Sequence, residues 1–359
     1  MELKKKLATI FQQFQTEHTF KGFETFNSGH INDTFLILTQ EEVNYVLQRI
    51  NTTVFKKAID VIHNKIKITQ HLSKKGIQTI HFIPTKENSY SLIDDDKHLW
   101  NLSEFIENSQ TFLKVNANDI AYQAGLITAE FLAQTSDFEN DLVETLPNFH
   151  SMSFRFQEFQ NALNATSKIR KQKAQKWIDF ALANKKEMMV LDRAINQKEI
   201  RLRVTHNDTK ISNILFDTNN KAICMIDLDT VMKGCIHFDY GDALRTICNT
   251  TDEDEVNVSA INFNLNYFKN YTEGFLKSLA NNISKQEASY LPISIQVMTF
   301  IMGLRFLTDY LNNDVYYKTK HSNHNLERAN NQFSLVQKIR EQQHEINSFV
   351  KSTYMSSCH

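Results

Sequence analysis

The sequence predicts an α+β protein in two lobes, a small sheet-bearing one followed by a large helical one. Three observations carry that expectation. Strand-like alternation is concentrated between Thr19 and about Leu102, and helical periodicity dominates after Glu107. Glycine and proline are scarce, at 8 and 3 of 359 residues, against about 7% and 5% in ordinary proteins. So few chain breakers favour long uninterrupted helices, and they leave any phosphate-cradling loop with little glycine.

Taken in order, Leu3, Leu7, Ile10, Phe11 and Phe14 recur at helical spacing, which predicts an opening amphipathic helix. Phe35 and Ile37 then alternate with Leu36 and Leu38, and Val43, Tyr45 and Leu47 lead to Arg49, as strands do. A helix over 54–72 interrupts the strands and ends near Gly76, a C-cap signal. Strands over 78–83, 89–93 and 97–102 complete the small lobe. The stretch 103–108 marks the boundary, giving expected domains of 1–103 and 104–359. Beyond it, helices are predicted over 117–134, 154–163, 167–193, 261–279, 285–311 and 325–349, with Pro292 expected to kink or break the fifth. A strand-loop-strand region lies between them, over 203–226.

Hydrophobic residues make up 41% of the chain and charged residues 23%, as in an ordinary folded protein. Lys plus Arg number 40 and Asp plus Glu 41, for a formal charge of -1. That balance offers no bulk attraction to nucleic acid or an anionic membrane. The four cysteines include no C-x-x-C pair, so no zinc ribbon or redox dithiol is indicated. No apolar h-region follows the charged start, and no stretch reaches the ~18 apolar residues a membrane span needs. Together with the thiols, these features suggest a cytoplasmic protein.

The densest chemistry is Thr205-His206-Asn207-Asp208-Thr209-Lys210-Ile211-Ser212-Asn213, followed by Ile226-Asp227-Leu228-Asp229. Phosphoryl transfer needs a carboxylate near the acceptor hydroxyl, oxygen ligands for Mg²⁺ on the phosphates, and cations where negative charge gathers. Asp208 and Asn213, five apart, match the Asp and Asn of the kinase catalytic loop. Asp227 follows an apolar strand, where a metal-binding carboxylate belongs, and Lys210 is placed to neutralise the moving phosphoryl group. An alternative is a hairpin whose Asp and Asn merely cap turns.

These residues resemble the aminoglycoside phosphotransferase and choline kinase-like superfamily. More narrowly, Gly29-His30-Ile31-Asn32-Asp33-Thr34, Val46-Leu47-Gln48-Arg49-Ile50-Asn51 and Leu146-Pro147-Asn148-Phe149-His150 are similar to the N-acetylhexosamine 1-kinases. So are Asp227-Leu228-Asp229-Thr230-Val231-Met232 and 303–311. The resemblance implies a two-lobed protein-kinase-like fold, with a small antiparallel-sheet N-lobe and a large mainly helical C-lobe. It also implies ATP- and Mg²⁺-dependent phosphorylation of a sugar at its anomeric hydroxyl.

Within that frame, Gly29, His30 and Asn32 belong to a phosphate-covering loop with a single glycine, a segment that otherwise reads as a hairpin turn. Arg49 ends a strand where a kinase places its phosphate-holding lysine; its other reading is a strand-end surface charge. The helix that follows has no suitable glutamate partner and offers His63 and Asn64 instead. Asn213, Asp227 and Asp229 are metal-ligand candidates, with a loop-orienting role equally open for Asp229. His206 reads as a structural hydrogen-bonding residue, and Asp239 and Asp242 as caps of the next helix and braces of the loop. For the acceptor, Arg305 and Asp309 lie four apart and Tyr317 follows, which suits a sugar cleft or else a surface ion pair. The run Asp252-Glu253-Asp254-Glu255 reads as a solvated acidic loop, or as a site for a cationic acceptor. The other functions to weigh are an aminoglycoside- or choline-type phosphotransferase and a non-catalytic nucleotide-binding module.

Overall fold

The computed structural model describes residues 2–26 and 31–358. The expected phosphate-loop residues Gly29 and His30 lie outside the described residues, whereas Asn32 lies within them. The chain opens with α1 (Glu2–Phe11), β1 (Phe20–Phe26), β2 (Asp33–Thr39), β3 (Tyr45–Ile50) and α2 (Ala58–Lys74). It continues through β4 (Phe82–Ile83), β5 (Leu92–Ile93), β6 (Leu99–Glu104) and β7 (Ser109–Gln110). Helices α3 (Asn118–Gln134), α4 (Met152–Ala165), α5 (Lys168–Met188) and α6 (Val190–Asn196) lead to β8 (Arg203–Thr205). Then come β9 (Ile214–Asp217), β10 (Ala222–Met225), β11 (Met232–Gly234), α7 (Ile236–Ile247) and α8 (Leu265–Leu279). Helices α9 (Lys285–Leu311), α10 (His324–Glu341) and α11 (Gln343–Ser357) close the fold.

Two compact units result, and neither is one continuous segment. The first gathers Met1–Thr111, Gln134–Pro147 and Leu215–Lys233; the second gathers Phe112–Ala133, Asn148–Ile214 and Gly234–His359.

In the first unit the sheet runs β1-β2-β3-β6-β4, all antiparallel, with β5 also paired to β6. Side chains of a strand alternate between faces. Tyr45, Leu47 and Trp100 therefore share a core with Leu7, Ile10 and Phe11 of α1. Ile50 and Leu99 pack on the opposite side against Ala58, Val61, Ile62 and Ile66 of α2. Gly76 ends α2 as expected: at φ +72 its N–H reaches Ser73 O, and Ile77 N–H reaches Leu72 O, closing the last turn with the left-handed residue that glycine best supplies. Buried Asn64 joins the unit's separated segments. Its Nδ2 donates to Val143 O at 2.8 Å and Val231 O at 3.0 Å, and its Oδ1 accepts from Val143 N–H.

The second unit is built on α9, whose Val297, Met298, Phe300, Ile301 and Leu304 pack with Phe156, Trp177 and Phe333. Ser284 and Glu287 form a reciprocal capping box at its start. The helix runs through Pro292 without ending, so of the expected kink or break the break does not occur. It is also long and apolar enough to cross a membrane, which the residue count had not shown; 78% of that apolar window is buried inside the protein, so its apolar surface serves the core. Helices α3 and α8 cross where Gly125 faces Tyr271 O and Gly274 faces Tyr122 O, closer than any Cβ allows. Several helix boundaries differ from the periodicity. The span 167–193 divides at Met189, and 325–349 divides at Gln342. Helix α8 starts at Leu265 because Asn264 caps the N–H groups of Asn266 and Tyr267.

Candidate active site

The loop after β8 belongs to the second unit. Asn207 adopts φ +64, a conformation asparagine tolerates, and the turn that follows presents Asp208. Lys210 Nζ donates to Asp208 Oδ2 at 3.0 Å, and Asn213 Nδ2 donates to the same oxygen and to Asp208 O, both at 2.9 Å. Burial alone would push the Asp208 carboxyl up, but Lys210 and the Asn213 amide outweigh it and hold the group below its ordinary value. Asp208 is thus ionised and half-buried. Among the described residues nothing bonds Asn213 Oδ1. Asp208, Lys210 and Asn213, proposed from spacing, stand together.

A buried frame holds this loop. Asp239 Oδ2 and Oδ1 accept the backbone N–H groups of His206 at 2.8 Å and Asn207 at 2.7 Å, while Thr209 Oγ1 donates to Asp239 O at 2.6 Å. Burial pushes the Asp239 carboxyl up to about 7. His150 Nε2 donates to Asn207 O at 3.0 Å, and burial lowers its pKa to about 4, which keeps the ring neutral near pH ~7. His206 is fully buried, its ring 5.9 Å from Phe131. Asp239 braces the loop as expected but does not cap α7, whose N-cap is Cys235 without a side-chain bond. Nor does Asp242, which pairs with Arg245 at 2.8 Å.

The second carboxylate segment belongs to the first unit. Strand β10 ends at Met225, Asp227 takes φ +58, and 228–230 form a single 3₁₀ turn. The strand therefore does not continue, and Asp227 and Asp229 do not share a strand face. Asp229 is buried: Oδ1 accepts from Lys65 Nζ at 2.5 Å, and Oδ2 accepts from Asn32 Nδ2. Lys65, 3% exposed, also donates to Gln48 Oε1 at 3.0 Å. Sequence reasoning missed Lys65. The signal was present, because Lys65 lies on the apolar stripe Ala58, Val61, Ile62, Ile66 and Leu72, where a charge demands a partner.

Arg49 lies on the sheet face opposite Gln48. Its register partner is Asp33, to which Nε donates at 2.7 Å and Nη2 also donates, and its guanidinium sits 5.9 Å from the Trp100 ring. The side chain is 36% exposed and its pair with Asp33 lies at the strand end. The cation facing Asp229 comes from the helix rather than the strand.

On α9, Arg305 lies among aromatic rings, 5.2 Å from Phe149, 5.9 Å from Tyr316 and 5.7 Å from Tyr317. Tyr317 Oη is buried and has no partner among the described residues; burial pushes it up to about 12. Asp309 does not pair with Arg305. Its oxygens accept the N–H groups of Val315, Tyr316 and Tyr317 at 2.9–3.0 Å, and the Asn325 amide at 2.9 Å. Being near the end of α9, Asp309 captures the backbone of the loop that follows, and this fixes the two tyrosines. The acidic run 252–255 is not simply solvated: Asp252 pairs with Lys114, Glu253 with Arg245, and Asp254 with Lys320 and His324.

The antiparallel sheet unit, the mainly helical unit and the Asp208 loop define a protein with the kinase-like phosphotransferase fold. Residues 22–272 match the model of the phosphotransferase enzyme family, APH, and the chain belongs to that family. Solved structures share the fold. A microcompartment-associated aminopropanol kinase matches at 14% identity and a TM-score of 0.63, covering 94% of this chain and 98% of its own. An amicoumacin kinase solved with AMP-PNP, Ca²⁺ and Ami matches at 12% and 0.62, covering 93% of each chain. A Plasmodium vivax ethanolamine kinase matches at 13% and 0.55, covering 92% of this chain and 85% of its own.

Proposed function

We propose that this protein transfers the γ-phosphoryl group of ATP to the anomeric hydroxyl of an N-acetylhexosamine, giving the sugar 1-phosphate. The observation that carries the reading is the ionised Asp208 held between Lys210 and Asn213 on a loop pinned by Asp239. Asp208 accepts a hydrogen bond from the acceptor hydroxyl, orients its oxygen for in-line attack, and takes its proton as the bond forms. Lys210 offsets the charge of the moving phosphoryl group. The Asp239 frame keeps the Asp208 carboxylate aimed without reorganisation.

Asn213 Oδ1 and the Asp227 carboxylate are hard oxygen donors of the kind Mg²⁺ prefers, and the motif assigns both to it. Bound Mg²⁺ supplies charge neutralisation and orientation of the phosphates. Asp229 is left out of the metal set in this reading, because both its oxygens already have donors. Arg49 is left out of the phosphate set, because it is engaged by Asp33. Gly29, His30 and Asn32 keep their assignment to the phosphate loop on the sequence alone.

Two features support a neutral acceptor. Arg305 places a cation within an aromatic cluster, where a second cation is repelled, and the acidic run that would attract one is engaged by Lys114, Arg245, Lys320 and His324. Arg305 and Tyr317 contact the sugar in this reading, and Asp309 shapes the loop that carries Tyr317. A second reading, transfer to an amino alcohol, draws on fold neighbours described as aminopropanol and ethanolamine kinases. A phosphoryl-transfer panel of N-acetylhexosamines, plain hexoses, amino alcohols and aminoglycosides, with ³¹P NMR of products, separates the two. The sugar 1-phosphate is expected. Product from cationic acceptors alone would overturn the sugar reading, and no product from any acceptor would leave a non-catalytic module.

A further inference from the structure

We propose that Lys65, Asp229 and Asn32 form a relay in which Lys65 is a positioning residue for nucleotide binding. The proposal rests on the phosphotransferase reading above and deepens it. Every member is in the first unit. Lys65 Nζ donates to Asp229 Oδ1 at 2.5 Å, Asp229 Oδ2 accepts from Asn32 Nδ2, and Asn32 Oδ1 accepts the N–H of Asn51 at 2.8 Å. Asn51 returns the contact by donating from Nδ2 to Ile31 O at 3.1 Å, while its Oδ1 accepts the N–H groups of Thr53 and Val54. Four pieces of chain are thereby tied together: helix α2, the turn bearing Asp227, the segment entering β2, and the end of β3.

The chemistry argues that Lys65 is there for Asp229. Its helix position lies on an apolar stripe, where methionine or leucine would pack without the desolvation penalty of burying an ammonium group. The charge is matched one to one by Asp229, and Gln48 takes a second donor of the amine. With one Asp229 oxygen on Lys65 and the other on Asn32, the carboxylate joins the Asp227 turn to the loop assigned to the phosphates. Lys65 therefore acts through Asp229.

The test is calorimetric titration with Mg·ADP, which needs no acceptor, on the full chain and four variants. Lys65→Met, Asp229→Asn and Asn32→Ala are each expected to weaken binding about tenfold, the scale of one charge-assisted hydrogen bond. Asn32 is only partly buried, so Asn32→Ala reports on the relay even where the buried substitutions impair folding. Lys65→Met/Asp229→Asn is expected to recover to within about threefold of wild type. Both charges are gone in that variant, and the amide replacing the Asp229 carboxylate keeps a carbonyl oxygen that can accept from Asn32. Wild-type-like binding by Asn32→Ala, or a double variant no better than Asp229→Asn, would overturn the relay; the second result would make Asp229 a direct metal ligand. Failure of the wild type itself to bind Mg·ADP would remove the nucleotide reading, and the relay with it.

Discussion

Replacing Gly234 with alanine tests how tightly the Asp208 loop is held. A Cβ at that position would lie 2.3 Å from Thr205 Oγ1, 2.8 Å from Asn207 Oδ1 and 3.4 Å from Thr205 Cβ. Thr205 is fully buried and Asn207 is 3% exposed, so neither side chain can swing into solvent. Overpacking of this kind costs about 1–3 kcal/mol. The added methyl also displaces the Thr205 Oγ1 to Asn207 Oδ1 bond of 3.1 Å, worth about 1 kcal/mol. The expected loss is about 2–4 kcal/mol in urea denaturation. Asn207 precedes Asp208, so the strain reaches the reacting carboxylate, where a displacement of about 1 Å costs roughly a hundredfold in turnover. Adding Thr205→Ala removes the worst clash, so the double variant should be more stable than the two single effects summed, by at least about 1 kcal/mol. A Gly234→Ala protein within about 0.5 kcal/mol of wild type, with wild-type turnover, would refute the reasoning.

Other consequences follow from the same geometry. Asp208→Asn should lower turnover about 10²- to 10⁴-fold while Mg·ADP binding is retained; near-normal turnover of the pure variant would remove Asp208 from its role. Arg305→Leu should raise the acceptor KM at least about tenfold with the ATP KM unchanged, and an equal rise in both would place Arg305 outside the acceptor site. His237, its Nε2 2.8 Å from Glu287 O, is held neutral by burial with its pKa lowered to about 4. The unfolded chain binds a proton near pH ~6.5 and the folded chain does not. Stability from this residue is therefore complete above ~6.5 and lost as pH falls towards ~4, by up to about 3 kcal/mol. Asp239, pushed up to about 7, contributes in the opposite sense, stabilising below its unfolded pKa and losing that contribution as pH rises. The measurement is thus the difference between wild type and His237→Gln, which should shrink on acidification. Gly125→Ala would set a Cβ 2.0 Å from the Tyr271 carbonyl oxygen; because backbone cannot yield as a side chain does, a loss of about 3 kcal/mol in denaturation is expected.

Periodicity and motif spacing were enough to determine several things about this protein. They placed a sheet-bearing region ahead of a helical one, put a C-cap at Gly76, and grouped Asp208, Lys210 and Asn213, because each rests on residues a few positions apart. Backbone hydrogen bonding and side-chain alternation act at that range. What lay beyond it was decided by tertiary structure. Alternation says that Gln48 and Arg49 point to opposite faces but not which face meets α2, and the packing of Ile50 and Leu99 on that helix settles it. Lys65 and Asp229 are 164 residues apart, and only the folded chain makes one the neutraliser of the other. Asp309 could equally face Arg305 by spacing, yet the N–H groups of the next loop claim it. Buried charges and unpaired N–H groups must find partners wherever the fold brings them, and that requirement carries no local signature in a linear sequence.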